Sequence, residues 1–285
     1  MFLKNKHKLL LLIVLTIFFS FLIFITKSYF FWWLNDYENR IIEEKYIEPE
    51  VVKVNDDLLD KKIEEKILET LSSAYKLRYT FFPSRFIEEE NAKEYYSVID
   101  TFLNSSYIIN KISFLEIYIF KEDWIVRGKM KDKKVRLYGI YNMKKEEFLS
   151  VSIHEFAHFL DLYFLEKNVT NDISDYFYSI SWDSTTVIKS WQNQEDFVSW
   201  YSMTNKYEDF AESFTYYVLH NSDFKEKTLD SSRLKEKYDF FEKYLFRKKE
   251  FQNDSYKTTH KVDNYYRDIT KISFSLENFL QYLKK

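Results

Sequence analysis

Only two glycines, Gly128 and Gly139, and two prolines, Pro49 and Pro83, punctuate the 285 residues of this chain. These residue types supply the backbone angles of most tight turns, so a chain almost without them is poorly suited to many short strands joined by close reversals. Apolar residues make up 46% and aromatics 20%, which is ample for a core and argues against disorder throughout. A mostly helical fold is therefore expected. There is no cysteine, which rules out disulfides, thiolate metal sites and a cysteine nucleophile. Any metal must be held by histidine and carboxylate. The formal charge of -3, with both signs intermixed, offers no basic stripe along the chain for nucleic acid, and none is expected as a partner.

The N-terminus carries an apolar run, Leu9 to Thr26, with nothing more polar than Ser and Thr. As a helix its eighteen residues would span roughly 27 Å, close to the thickness of a hydrocarbon layer. Lys4, Lys6 and Lys8 precede it, and Lys27 and the aromatic group Tyr29 to Trp33 follow it, as suits a membrane-water boundary. No small-residue cleavage site follows. These features predict a cytoplasmic N-terminus at residues 1–8, a transmembrane signal anchor at 9–31 and an acidic stalk at 32–56, with the bulk of the chain outside the cell. Cleavage of the anchor would instead release a secreted protein.

Beyond the stalk, residues 57–250 are expected to form one domain and 251–285 a C-terminal extension. Apolar spacing predicts a helix from Asp57 and another from about Ala92 to Leu103. The period then changes: Ile112 to Phe120 and Lys134 to Asn142 read as strands, with the lysine-rich stretch between them as a solvated turn beside a sheet edge. Lys144 to about Glu166 reads as one long helix. Later helices are expected from near Asn205, from near Ser231 and over Leu276 to Leu283, after an irregular, tryptophan-rich stretch that begins near Ser181. The fold class is thus α+β, with a small sheet, a long helix and a mostly helical second half.

That long helix contains His154, Glu155 and His158 in the pattern H-E-x-x-H. Residues four apart share a helix face, so the two imidazoles can aim at one point with Glu155 beside it. Zinc held by such a pair keeps an open position for water, and the glutamate is placed to accept a proton. Composition alone would give this pattern in on the order of one such chain per hundred. A third ligand is needed. Asp161 and Phe164 stand where an extended motif would need Gly and His. His220 and His260 have no helix-spaced partner and read as ordinary residues. Glu208 and Glu212 also lie four apart, among Phe210, Ala211 and Phe214, where buried carboxylates call for a cation or donors. One of the pair can bind the metal while the other orients a histidine.

The segments "HEFAHFLD" and "SWYSMTNKYEDFAESF" together resemble the gluzincin catalytic domain of anthrax lethal factor and the secreted Pro-Pro endopeptidases. The resemblance implies a zincin-type domain, with one Zn2+ held by His154, His158 and Glu208. It also implies that Glu155 is the general base, that Tyr201 supports the carbonyl oxyanion or leaving group, and that Glu212 and Asp161 act behind the ligands. Ala157 departs from the glycine usual in that family, and alanine suits a helix at least as well. A protein or peptide outside the cell is the implied substrate, with the Lys134 to Asn142 strand expected to pair with it. Trp182, Trp191 and Trp200 are candidates for the cleft wall or the core. The rival readings are a noncatalytic surface module that binds zinc or a partner, and a regulatory peptidase facing the cytoplasm.

Overall fold

Four strands form one small mixed sheet in the order β1-β2-β4-β3: β1 is Tyr79–Pro83, β2 Leu115–Ile119, β3 Gly128–Lys131 and β4 Lys134–Leu137. The computed structural model describes residues 79–83, 89–105, 115–165, 172–246, 249–258 and 266–284. The expected span, the stalk, the helix from Asp57 and His260 lie outside these residues. β1, β2 and β4 run parallel and β3 runs antiparallel to β4 at the edge. The helices are α1 (Glu89–Leu103), α2 (Lys145–Leu160), α3 (Ile173–Ser181), α4 (Lys206–Leu219), α5 (Asn221–Lys227), α6 (Ser232–Phe240) and α7 (Leu276–Leu283). Among the described residues no helix is long and apolar enough to cross a membrane.

The sheet divides its side chains by alternation. Leu115, Ile117, Ile119, Val135 and Leu137 are buried, while Glu116, Tyr118, Lys134 and Arg136 occupy the other face at half exposure. Helix α2 packs on β3 and β4 and also against α4. Twelve of its sixteen residues are buried, which is why its apolar positions surround the histidines instead of forming one stripe. Phe148 meets Tyr95 of α1 edge-on at 4.8 Å, and Phe156 meets Phe102 at 5.9 Å. In the helical half, Phe177 of α3, Phe210 of α4 and Phe240 and Phe241 at the end of α6 form a mutually edge-on or tilted aromatic cluster. Such pairs add about 0.5–1.5 kcal/mol each beyond the area they bury.

Capping explains several helix starts. The side chain of Asn205 accepts the amides of Tyr207 and Glu208, both at 3.0 Å, and Ser231 and Ser275 cap α6 and α7 in the same way. Helix α2 passes into a π-helical turn, Asp161–Leu165, so the long helix ends close to its expected limit with a change of winding.

Three expectations need correction. The strand expected over Lys134–Asn142 stops at Leu137, and a 3-10 turn follows at Ile140–Asn142. It is also an interior strand, paired on both sides, so it cannot receive an added peptide strand. The lysine-rich stretch read as a turn contains β3, which is the edge. Its actual reversal is only Asp132 and Lys133, both left-handed at φ 54 and 59, the geometry of a two-residue hairpin turn usually given to Asn-Gly. Strand β1 and helix α3 had no counterpart in the sequence reading.

Candidate metal centre

Helix α2 carries His154, Glu155 and His158, all buried or nearly so, on the side that faces α4 and β3. Across from them, the Asn205 cap begins α4 so that Glu208 falls in its first turn, at the end where backbone amides favour a carboxylate. Glu208 Oε2 lies 3.1 Å from His154 Nε2 and 3.3 Å from His158 Nε2. One ligand atom from each of the three residues lies within 4.8 Å of the others. Two imidazole nitrogens and one carboxylate oxygen converging in this way fit a zinc site that leaves one position open.

A second layer holds this triad. His154 Nδ1 lies 3.0 Å from Glu212 Oε1, one turn further along α4. The other oxygen of Glu212 accepts from Ser199 Oγ at 2.6 Å and from the Ile269 amide at 2.9 Å. Glu212 is fully buried, and its first oxygen thus fixes which imidazole nitrogen of His154 is left for the centre. Asp161 accepts from Ser174 Oγ and Tyr178 Oη of α3, each at 2.5 Å, and lies near enough to His158 for the two charges to interact. Tyr201, two-fifths exposed, stacks obliquely near His154 with ring centres 6.1 Å apart. Trp182 is buried and donates to Asp209, whereas Trp191 and Trp200 are exposed.

The electrostatics follow from charges crowded in a dry place. Burial opposes protonation of His154, but its hydrogen bonds to Glu208 and Glu212 outweigh that and hold its pKa well above the ordinary histidine value. His158 is raised in the same way, against burial, by the Glu208 charge. Burial would raise Glu208, and the two imidazoles pull it far below the carboxylate range instead. A site whose groups settle in this pattern is one that calls for positive charge, which a dication would supply. Glu155 behaves oppositely: burial lifts its carboxyl above the usual value, although both histidines oppose this. Tyr201 is held well above the ordinary phenol value, chiefly by the Glu208 charge and then by burial.

Several participants left no signal in the local sequence. Gly128 of β3 faces Glu155 so closely that a Cβ there would sit 2.6 Å from Glu155 Cγ. The segment from Tyr266 to Lys271 crosses the back of the site: the Trp200 and Tyr201 amides donate to the carbonyls of Tyr266 and Arg267 at 2.8 and 3.0 Å. Arg127, just before β3, bonds Glu147 at 2.8 Å, Thr270 at 2.8 Å and Asp268. Ser199, Ile269 and Asp268 are 13, 57 and 141 residues from the groups they hold in place, so no motif spacing could show them.

A family model described as "Putative zinc-binding metallo-peptidase" matches residues 98–265 of the chain. No curated protein and no solved structure matches the chain.

Proposed function

The chain belongs to this zinc-binding metallo-peptidase family, which acts on protein or peptide substrates, and from that premise we propose a gluzincin endopeptidase related to the lethal factor type. The observation that carries the reading is the convergence of His154, His158 and Glu208, with Glu155 on the same helix. One zinc ion per chain would be held by those three residues, and when bound it polarises a carbonyl oxygen and acidifies water.

The protein's own groups supply the rest. Glu155, buried and raised in pKa, takes the proton of the attacking water and delivers it to the leaving nitrogen. Tyr201 lies on the open side of His154, where its hydroxyl donates to the developing oxyanion. Glu212 orients His154, and Asn205 fixes the start of the helix that presents Glu208. The substrate lies extended along the free edge of β3, next to Glu155. The apolar run at 9–31 anchors the chain, with residues 1–8 in the cytoplasm and the catalytic domain outside, a topology supported by the lysines that precede the run.

The test uses the full-length protein with a diverse peptide library, with and without chelator, and metal content measured by mass spectrometry. The wild type is expected to carry one zinc and to show chelator-sensitive cleavage. Glu155→Gln is expected to keep zinc and lose turnover. Glu208→Ala is expected to lose far more metal affinity than Glu212→Ala, for which roughly 10–100-fold is usual for a residue behind a ligand. A folded, zinc-loaded wild type that cleaves nothing favours the noncatalytic surface module. A reporter fused at Lys61 that is active in the cytoplasm would overturn the topology.

A further inference from the structure

The edge strand beside Glu155 carries an ordered row of cations. In the β3–β4 ladder Lys129 stands opposite Arg136 and Lys131 opposite Lys134, so four positive side chains share one sheet face. Like charges placed directly opposite destabilise a strand pair, so the arrangement has a cost. The inner two are offset within the sheet: Lys134 lies 3.2 Å from Glu116, and the Arg136 guanidinium lies 5.7 Å from the Tyr118 ring. The outer two belong to the edge strand itself. Lys131 has no carboxylate partner among the described residues, and the pKa of Lys129 is lowered by burial and then by Lys131 and Arg136, with the Glu155 charge opposing them.

Backbone parity says what such an edge would read. The Tyr138 amide donates to the Arg127 carbonyl at 2.8 Å, which makes Arg127 and Tyr138 a hydrogen-bonded pair. Hydrogen-bonded and non-hydrogen-bonded pairs alternate, so Lys129 and Lys131 also direct their amides and carbonyls at β4, while Gly128 and Met130 turn theirs toward the edge. The Glu155 carboxylate accepts from the Met130 amide at that edge, so an antiparallel strand added there bonds to Gly128 and to the Met130 carbonyl and takes the Met130 amide over from Glu155. Its residues opposite Lys129 and Lys131 then fall in the non-hydrogen-bonded positions, where side chains approach most closely. Gly128 faces Glu155 of α2 and Met130 shares its sheet face, so the positions opposite Lys129 and Lys131 lie on the other face, away from the metal centre.

We propose that the β3 edge selects an extended peptide carrying acidic side chains two residues apart, set against Lys129 and Lys131. The inference rests on the peptidase reading for its substrate and deepens it by naming a charge class. Lysines on an edge commonly deter pairing with other chains. Here that deterrence is selective, because the row repels a basic strand, gains no charge compensation from a neutral one and is compensated by an acidic one.

The experiment takes the zinc-loaded full-length protein and three labelled peptides of one extended sequence, with Glu, Gln or Lys at the two alternate positions. Binding is read by fluorescence anisotropy at low and high salt, and cleavage is read separately. Two partly exposed charge pairs of ordinary strength predict that the Glu peptide binds roughly fivefold to tenfold tighter than the Gln peptide, with the advantage fading in high salt. The Lys peptide binds weakest. Lys129→Glu with Lys131→Glu is expected to reverse the order, and Lys129→Gln with Lys131→Gln, which leaves β3 uncharged at these positions, to level it. Equal binding of all three peptides, or an order unchanged in both double variants, overturns the proposal. Cleavage without charge preference overturns it while leaving the peptidase reading intact. Charge-ordered binding without cleavage of any peptide supports it and counts against the peptidase reading.

Discussion

Gly128 is the residue whose side chain is missing for a chemical reason. Glu155 occupies the space its Cβ would take, and β3 can approach Glu155 this closely only because nothing projects there. Gly128→Ala is therefore expected to displace the Glu155 carboxyl or push β3 outward. A shift on the order of 1 Å at a reacting group costs on the order of 100-fold in rate, and metal content should stay near that of the wild type because the three ligands do not touch this position. Steady-state kinetics beside zinc analysis check this, and loss of zinc together with activity would mean that Gly128 shapes the ligand geometry itself. At this scale legibility tracked distance along the chain. His154, Glu155 and His158 could be read directly because one helical turn brings them together, and Glu208 with Glu212 because a second turn does the same. The choice between those two glutamates was not legible from spacing. It is made by Ser199 and Ile269, which occupy the far oxygen of Glu212 and leave Glu208 toward the histidines.

Between elements, two buried polar ties show how the helices are fixed around the centre. Lys237 of α6 lies 2.8 Å from Asp209 of α4, with both fully buried, and Trp182 donates to the same carboxylate at 2.9 Å. Asp209 follows Glu208 directly, so this tie sets the rotation of the helix that presents it. Lys237→Met is expected to destabilise the protein by about 3–5 kcal/mol by leaving the carboxylate uncompensated, and adding Asp209→Asn should recover a large part of the loss. Urea unfolding of the single and double variants measures both. The second tie is Asp161, whose carboxyl is pushed up to about 6 by burial although Ser174 and Tyr178 donate to it. The folded protein then keeps a proton that the unfolded chain releases near 3.8. Its contribution is fully present below that value and is lost as pH rises through 6, an effect of about 3 kcal/mol for a shift of this size. Unfolding free energies of wild type minus Asp161→Asn should accordingly fall between pH 4 and pH 6 and level off above. A flat difference would show that Asp161 stays ionised throughout. Helices with polar caps, such as α4, α6 and α7, were legible because Asn205, Ser231 and Ser275 announce them. Strand β3 was not, since "GKMK" has neither alternation nor β-branched residues and is held as a strand by its pairing with β4.

Across the molecule, the chain beyond the family match completes the site. The family model ends at residue 265, yet the next six residues supply the amide that holds Glu212, the carbonyl that holds Tyr201 and the Asp268 carboxylate that holds Arg127 next to β3. Helix α7 then seals the back of the fold. Phe279 is fully buried against Tyr256 at 4.8 Å and Phe274 at 5.7 Å, and the Phe251 amide donates to the Tyr282 hydroxyl oxygen at 2.7 Å. From sequence the segment 251–285 reads as an extension appended to a finished domain, because only its weak helical period is local and every contact that gives it a role is long-range. Removing residues 266–285 is therefore expected to do more than shorten the protein. It strips the buried Glu212 of one of its two donors and uncovers large aromatic residues, at several kcal/mol, against a total stability of only about 5–15 kcal/mol for a typical domain. The truncated protein should be sensitive to proteolysis and poor in zinc. A milder change separates the two effects: Asp268→Asn keeps α7 in place and an amide oxygen to cap the Thr270 amide while weakening the Arg127 tie, so it should preserve the unfolding midpoint within a few degrees while raising KM for peptides that lie along β3. If the shortened chain instead folds, binds zinc and cleaves peptides as the full chain does, the segment is an appendage, and Glu212 is positioned sufficiently by Ser199 alone.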